Sequence, residues 1–187
     1  PVLKEAFPQG LEEIESSKRR TLRQAYDEWR EAQELDDPDL PALHAAWVDL
    51  VLRQGLELDE DGTGDVFKAQ ADLPDSVRCD IPERGVTLRP DYAVVNDQKA
   101  DEPLMLVSVY EPSTSLDEPL KVDGWPASPS ERMVELCRAN GVRLGLVTNG
   151  ERWMLVDAPV SAVTSIASWY ANLWGQEPKT LQAFVNL

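Results

Sequence analysis

The sequence has few of the residues that metal centres and disulfide frameworks require. Its 187 residues include two cysteines, Cys79 and Cys137, and one histidine, His44. Two isolated cysteines exclude a disulfide framework or a cysteine-rich zinc site, and one histidine excludes any site that needs two. No apolar run approaches the roughly 18 residues of a membrane span, and the start lacks a signal-peptide pattern. We therefore expect a cytoplasmic protein that does not contact membranes.

Positive charge is also scarce, because 18 Lys and Arg face 34 Asp and Glu, which gives a net charge of −16. This balance disfavours a stand-alone basic DNA-binding protein, since phosphate contacts need positive charge. Residues 36–65 are the most acidic stretch and contain one basic residue, Arg53. The densest basic cluster consists of Lys18, Arg19, Arg20 and Arg23. It is either a solvated helix face that pairs with nearby acids or a contact for DNA phosphates.

The first third of the chain has a helical pattern. Apolar residues recur at three- and four-residue steps from Leu11 to Ala32, and Asp36-Asp37-Pro38 ends the first predicted helix. A second helix is predicted from Leu40 to Val51. An Asp- and Gly-rich loop from Glu57 to Asp65 follows.

The pattern changes to strands after Pro74. Val86-Thr87-Leu88 leads into 89–95, and a polar loop separates this run from 104–110, so we predict an antiparallel hairpin. Ser128, Pro129 and Glu131 have the spacing of a helix start with a capping box. Asn149-Gly150, within 142–156, predicts a hairpin of two apolar strands.

The last segment is predicted to contain a strand around Ser168 to Leu173 and a helix that begins at Pro178. That helix reaches the last residue without a capping signal, and the first residue is not Met. We therefore expect the chain to be a fragment of a longer protein. We predict two parts, with helices and an acidic loop in 1–73 and an α/β core in 74–187.

The order of these segments resembles the PD-(D/E)XK nuclease superfamily, whose core is a mixed sheet flanked by helices. The resemblance rests on Pro90-Asp91 at the start of one strand, the next apolar strand that ends 17 positions later, the segment LGLVTNGERWMLV, and the runs GWPASPSERM and EPKTLQAFV. Residues 86–187 look like the region ahead of the adenine methyltransferase in type IIG-like, BREX and DISARM defence proteins. The resemblance implies a restriction endonuclease-like α/β core behind an N-terminal helical part.

The chemistry that the resemblance implies is metal-dependent hydrolysis of a phosphodiester. An Asp and a second acid hold Mg²⁺, and the metal lowers the pKa of a bound water. A Lys two residues after the second acid activates that water and offsets phosphate charge. Alternation along a strand puts such an acid and Lys on the same face.

The sequence departs from this pattern at the second motif. Asp91 matches the first acid, but Ser108 and Tyr110 occupy the positions of the second acid and the Lys. Glu111 is one residue out of register, so only a bulge would turn it toward Asp91. If the site is active, we expect Asp91 and Glu111 to be the metal ligands, with Ser108 and Tyr110 lining the site. The missing positive charge would then come from a loop, through Lys99 or Lys121.

The sequence therefore predicts a degenerate nuclease domain of a prokaryotic restriction-modification or phage-defence protein. Its role would be to position DNA or to dock beside a methyltransferase domain, in cis or in a partner subunit, with cleavage absent or weak. The alternative is a non-enzymatic acidic interaction module, which would bind a basic partner or mimic DNA.

Overall fold

The computed structural model describes residues 13–59, 62–96 and 99–186. The chain divides into two compact units: a helical unit of Pro1–Glu60 with Trp169–Leu187, and a sheet unit of Asp61–Ser168. These units do not coincide with the predicted parts 1–73 and 74–187. The difference arises because the last residues join the first helices through aromatic side chains, while the segment from Phe67 onwards joins the sheet.

The helical unit contains the two predicted N-terminal helices. They are α1 (Ser16–Glu34) and α2 (Leu40–Leu50), and a π-helical turn, Val51–Gly55, continues α2. Leu11, where the helical pattern begins, lies outside the described residues. Asp36, with φ of 49°, follows α1 where the sequence predicted a stop.

Aromatic side chains form the core of the helical unit. The ring of Trp47 lies 6.2 Å from that of Trp29 and 6.1 Å from that of Trp174, and the rings of Trp174 and Phe184 stack at 4.9 Å. Trp29, Trp47 and Phe184 are fully buried. Such ring pairs bury large apolar areas and add roughly 0.5–1.5 kcal/mol each beyond that burial.

The sheet unit is built on a mixed six-stranded sheet, in the order β1-β4-β5-β6-β7-β8. The strands β5 and β6 are parallel, whereas the pairs β1/β4, β4/β5 and β6/β7 are antiparallel. The expected α/β class with a mixed sheet is therefore confirmed. The six strands are β1 (Phe67–Ala69), β4 (Tyr92–Asn96), β5 (Lys99–Val109), β6 (Leu144–Thr148), β7 (Arg152–Asp157) and β8 (Ser165–Tyr170).

Two of the strand predictions need correction. Val86–Leu88, which was expected to lead directly into the next strand, is a separate strand, β3, and pairs with β2 (Cys79–Ile81) in a two-stranded sheet. The predicted strand at Ser168–Leu173 is strand only as far as Tyr170. It then becomes the short helix α4 (Ala171–Trp174), because Ala171 and Trp174 turn into the aromatic core. The predicted C-terminal helix is present as α5 (Pro178–Val185).

The helix α3 (Pro129–Ala139) makes the crossover between the parallel strands β5 and β6. Its predicted capping box is confirmed, since the Ser128 hydroxyl accepts from Glu131 N–H at 3.3 Å and the Glu131 carboxylate accepts from Ser128 N–H at 2.7 Å. Gly141 follows the helix with φ of 66°, as the left-handed stop requires. Met133, Leu136 and Cys137 face the sheet and are buried, as their spacing predicted.

The predicted Asn149-Gly150 hairpin joins β6 to β7. Only Gly150 has positive φ, at 86°, so the turn is not the two-residue type that needs positive φ at both residues. The Asn149 side-chain oxygen instead accepts from the N–H groups of Glu151 and Arg152, at 3.2 and 2.8 Å. Side chains therefore hold this loop together.

No helix in the described ranges is long and apolar enough to cross a membrane.

The closest approach of α3 to the sheet yields a testable prediction. A Cβ atom added to Gly145 would lie 2.4 Å from Met133 Cγ and Sδ and 2.9 Å from Cys137 Sγ, and both side chains are buried. We expect Gly145→Ala to lower the free energy of unfolding by about 1–3 kcal/mol, because α3 must move away from β6. Gly175→Ala is the matched control, since nothing lies nearer than 4.0 Å to its added Cβ. Equal urea midpoints for the two variants would contradict the prediction.

Candidate functional site

Asp91 is held between the ends of β4 and β5. Its N–H donates to Val107 O at 2.8 Å, and its carboxylate oxygen Oδ2 accepts from Val109 N–H at 2.7 Å. Because Tyr92 pairs with Val107 in the antiparallel ladder, the next position places Asp91 opposite Ser108. The strand pairing therefore brings the predicted first acid beside the residue that occupies the second-acid position.

Three of the four predicted catalytic residues share one face of the sheet. Side chains alternate along a strand, so Asp91, Ser108 and Tyr110 lie on the face that Ala93 and Leu106 also occupy. This face packs against α3, where Tyr110 contacts the buried core. Ser108 is buried and Tyr110 is half-buried on this face.

Neighbouring protein atoms partly enclose the Asp91 carboxyl. One side of the residue is exposed to solvent, but the surrounding protein atoms desolvate the carboxyl and raise its pKa above the ordinary value. The hydrogen bond from Val109 N–H opposes this rise. The charged form of Asp91 therefore costs stability, unlike a carboxylate that is paired with a cation.

Tyr110 remains a neutral hydroxyl at physiological pH. Burial raises its pKa to about 12, the nearby guanidinium of Arg132 lowers it, and the carboxylates of Asp91 and Asp123 raise it further. Tyr110 therefore carries no positive charge at the position where the motif has Lys, and its hydroxyl is too weak an acid to serve as a base.

An ion pair between the buried Arg132 and the more exposed Asp123 lies next to this face and was not predicted from the sequence. Arg132, 5% exposed, donates to both oxygens of Asp123, at 2.8 and 2.7 Å, and to the carbonyl oxygens of Ala127 and Trp125. Its guanidinium also lies 5.0 Å from the ring of Trp125. Arg132 therefore fixes the loop that precedes α3. One signal could have revealed it: a cation in the first turn of a helix is unfavourable unless a partner offsets the helix dipole.

Glu111, the fourth predicted catalytic residue, lies outside this arrangement. It is exposed, follows the end of β5, and its carbonyl oxygen accepts from Thr114 N–H at 2.9 Å. The register shifts of the β4/β5 pair occur at Val94 to Asn96, so they do not re-aim Glu111. Within the described ranges no hydrogen bond or ion pair joins Glu111 to Asp91. Its role as a metal ligand stays a prediction.

Within the described residues, neither of the two lysines considered as replacements forms an ion pair with Asp91. Lys99 is at the opposite end of β5 from Ser108 and pairs with Glu102 at 3.3 Å. Lys121 is exposed in the loop fixed by Arg132.

The side chains beside Asp91 do not fit Mg²⁺. This ion prefers carboxylate oxygens with open coordination positions. Asp91 offers one carboxylate, of which Oδ2 already accepts from Val109 N–H, while the Asp123 carboxylate is engaged at both oxygens by Arg132. Among the described residues, no group of three or more His, Cys, Asp or Glu side chains is arranged to hold a metal ion.

The predicted DNA-contacting cluster is divided in the structure. Lys18 pairs with Glu57, while Arg19, Arg20 and Arg23 are exposed on α1. Arg23 Nε lies 3.9 Å from an Asp27 oxygen, one turn along the helix. The expected i,i+4 pairing with acids of the same helix therefore applies loosely to Arg23, whereas Lys18 pairs with Glu57 from a different segment of the chain.

The raised pKa of Asp91 predicts a pH-dependent gain of stability in Asp91→Asn. The carboxylate form destabilises the fold at neutral pH, and this cost is lost below the ordinary carboxyl value of 3.8. The amide oxygen of Asn still accepts from Val109 N–H. We expect a melting temperature about 1–3 °C higher at pH 7, a small gain because solvent screens the exposed side.

The gain should shrink as the pH falls toward 4, which melting curves across this range will measure. Asp72→Asn, at an exposed carboxylate in the turn after β1, is the control. A loss of stability in Asp91→Asn at every pH would show that the charge stabilises the fold.

The geometry of Arg132 predicts that lysine cannot replace it. Lys retains the charge but cannot make the paired bonds to Asp123 together with those to Ala127 O and Trp125 O. We expect Arg132→Lys to lower the unfolding free energy by about 2 kcal/mol in urea titrations. Arg138→Lys, in the same helix with an exposed pair to Glu135 at 3.7 Å, should change it little. Similar losses for both variants would refute a special role for Arg132.

Comparison of this chain with protein-family models, with curated proteins and with solved structures finds no match.

Proposed function

We propose that this chain is a restriction endonuclease-like domain, of the PD-(D/E)XK type, from a prokaryotic restriction-modification or phage-defence protein. In this proposal the nuclease site has degenerated, and the fold positions double-stranded DNA or docks beside a methyltransferase. The methyltransferase domain would lie in cis or in a partner subunit, and the protein would act in the cytoplasm.

One observation carries the proposal. The β4/β5 register, extended by one residue beyond the Tyr92–Val107 pair, puts Asp91 opposite Ser108, and the Asp91 backbone and carboxylate bond Val107 and Val109 on either side of it. This is the relation that the first acid, the second acid and the Lys of the motif require. The β5–α3–β6 crossover, which places the N-terminus of α3 near that end of the sheet, agrees with it.

The chemistry of the three side chains argues that cleavage is absent or weak. A neutral serine cannot replace a carboxylate as a ligand of a hard cation. Tyr110 is uncharged at neutral pH, because its pKa is raised to about 12. Arg132, the nearest buried cation, uses its donors on Asp123 and on two carbonyl groups. The residues beside Asp91 therefore neither bind a metal ion nor activate a water molecule.

Asp91 itself supports a binding role that outlasted catalysis. Desolvation of its carboxyl by the surrounding atoms disfavours the charge, and within the described residues no cation is paired with it. A side chain that is kept at a cost in stability is typical of functional sites. The proposal explains the cost as a remnant of the ancestral site.

The acidic-module alternative is less well supported. A DNA mimic needs rows of free carboxylates, but two acids of the 36–65 stretch, Asp49 and Asp59, both pair with Arg53. Asp59 is also buried, so the predicted acidic loop is partly internal.

Restoring the motif gives the sharpest test. The purified chain should not nick supercoiled plasmid with Mg²⁺ or Mn²⁺. The double variant Ser108→Glu with Tyr110→Lys should bind Mn²⁺ in calorimetry, about tenfold or more tighter than the unsubstituted chain, because two carboxylates then face each other. Adding Asp91→Ala to the double variant should abolish that binding.

The control keeps the charge change but moves it to the other face. Val109→Glu with Tyr110→Lys adds the same groups, yet alternation points residue 109 away from Asp91. Equal Mn²⁺ binding by the control, or robust plasmid cleavage by the unsubstituted chain that Asp91→Ala abolishes, would overturn the degenerate-nuclease proposal. Melting curves verify that each variant is folded.

A further inference from the structure

The helical unit contains a cavity that the proposed function leaves without a role. It has a volume of about 480 Å³ and lies between one face of α1 and the segment that includes α4 and the start of α5. This volume is within the range of about 300–1,000 Å³ that small-molecule sites occupy in proteins. The lining side chains on which the argument depends are Arg19, Leu22, Arg23, Tyr26, Trp174 and Leu181.

Two guanidiniums, those of Arg19 and Arg23, line this cavity against one carboxylate, that of Asp27. In the part of the chain that the structure describes, no carboxylate lies within ion-pair distance of Arg19, and Arg23 has only the 3.9 Å contact with Asp27. In the sheet unit, by comparison, Arg132, Arg143 and Arg152 each make a close pair with an Asp. In a chain of net charge −16, two weakly compensated guanidiniums beside one cavity favour an anionic ligand.

The wall of the cavity is apolar and partly aromatic. Leu22, Trp174 and Leu181 are buried, and Tyr26 is half-buried with its ring against Trp29 and Trp47. The side chain of Gln176 also lines the space and offers an amide for hydrogen bonds. The cavity thus combines cations at the mouth, flat apolar surfaces within, and a polar group that can bind a heteroatom.

We propose that this cavity binds a nucleoside phosphate, either free or at the end of a nucleic-acid strand. The Arg19 and Arg23 guanidiniums contact the phosphate, because their planar forks bind phosphate oxygens through charge-assisted hydrogen bonds. The base packs against Leu22, Tyr26 and Trp174, and Gln176 binds its edge. An inorganic anion would leave the apolar wall in contact with water, and a long acyl chain would not use the amide.

The inference stands independently of the proposed function, because it uses only residues of the helical unit. It replaces the broader prediction that Lys18, Arg19, Arg20 and Arg23 together contact DNA phosphates. Lys18 is engaged by Glu57, and Arg20 does not line the cavity. Two of the four basic residues, Arg19 and Arg23, therefore belong to the proposed site.

The probes for the test are adenosine 5′-monophosphate and uridine 5′-monophosphate, titrated into the full chain by calorimetry. We expect at least one of them to bind with a dissociation constant below about 1 mM, and the matching nucleoside to bind about tenfold or more weakly. Arg19→Gln and Arg23→Gln should each weaken binding by about tenfold. Arg20→Gln makes the same charge change on the same exposed helix and should leave binding within about twofold.

Two further variants separate a built site from general charge attraction. Asp27→Asn removes the carboxylate beside Arg23 and should strengthen binding severalfold. Gly175 has φ of −78° and ψ of −30°, a conformation that any residue adopts, and an added Cβ would lie 4.0 Å from Arg23 Nε. Gly175→Leu should therefore fill the cavity and abolish binding while the melting temperature is kept.

A short oligothymidylate, with and without a 5′-phosphate, identifies the source of the ligand. Tighter binding of the phosphorylated strand than of the mononucleotides assigns the site to strand ends, and the reverse order assigns it to free nucleotides. The proposal is overturned if neither mononucleotide binds at 5 mM, a concentration about fivefold above the expected limit. It is also overturned if Arg20→Gln weakens binding as much as Arg23→Gln, or if benzoate binds as well as the mononucleotides.

Discussion

The sheet unit depends on the close contact between α3 and β6. Gly145 allows the buried Met133 and Cys137 side chains to lie directly on the strand, and no larger residue fits between them. The contact fixes where α3 begins, because the helix is rigid and is capped by Ser128. Arg132, one turn from that end, is thereby held where it can anchor the preceding loop through Asp123. A packing constraint at one glycine thus sets the surroundings of Tyr110 and Asp91.

The charged groups around Asp91 are not equally compensated by partners of opposite charge. Arg132 is neutralised by Asp123, and Tyr110 is uncharged, so the Asp91 carboxylate has a single hydrogen bond from Val109 as its main compensation. Desolvation of an acid without a cation disfavours the charged form. Asp91 therefore contributes its hydrogen bonds to the end of the β4/β5 pair at the cost of a desolvated charge.

Local sequence signals predicted local structure well. The capping box at Ser128, the stop at Gly141 and the hairpin at Gly150 are confirmed, because each depends on residues a few positions apart. The pairing of β4 with β5 was also predicted, since a short polar loop joins two apolar runs. The antiparallel ladder then follows from the pattern of side chains.

Interactions between distant residues were not predicted. Three of them depend on tertiary contacts without a local signal. They are the pairing of Val86–Leu88 with Cys79–Ile81, the Arg132–Asp123 ion pair, and the contact of Trp174 with Trp47. For the same reason the boundary between the predicted parts differs from that between the units. At the candidate site, the predicted strand 104–110 already left Glu111 beyond its end, and alternation along the strand predicted that Ser108 and Tyr110 share a face.

The helical unit is formed by two segments of the chain, one before and one after the sheet unit in the sequence, and this has a consequence for synthesis. The ribosome completes Asp61–Ser168 before Trp174 and Phe184 emerge, so the sheet unit can fold first. Until then Trp47, which is fully buried in the finished protein, lacks its aromatic partner Trp174. The nascent N-terminal helices therefore leave the Trp174-facing side of Trp47 uncovered during that interval, and the nearby acidic stretch 36–65 opposes self-association through charge repulsion.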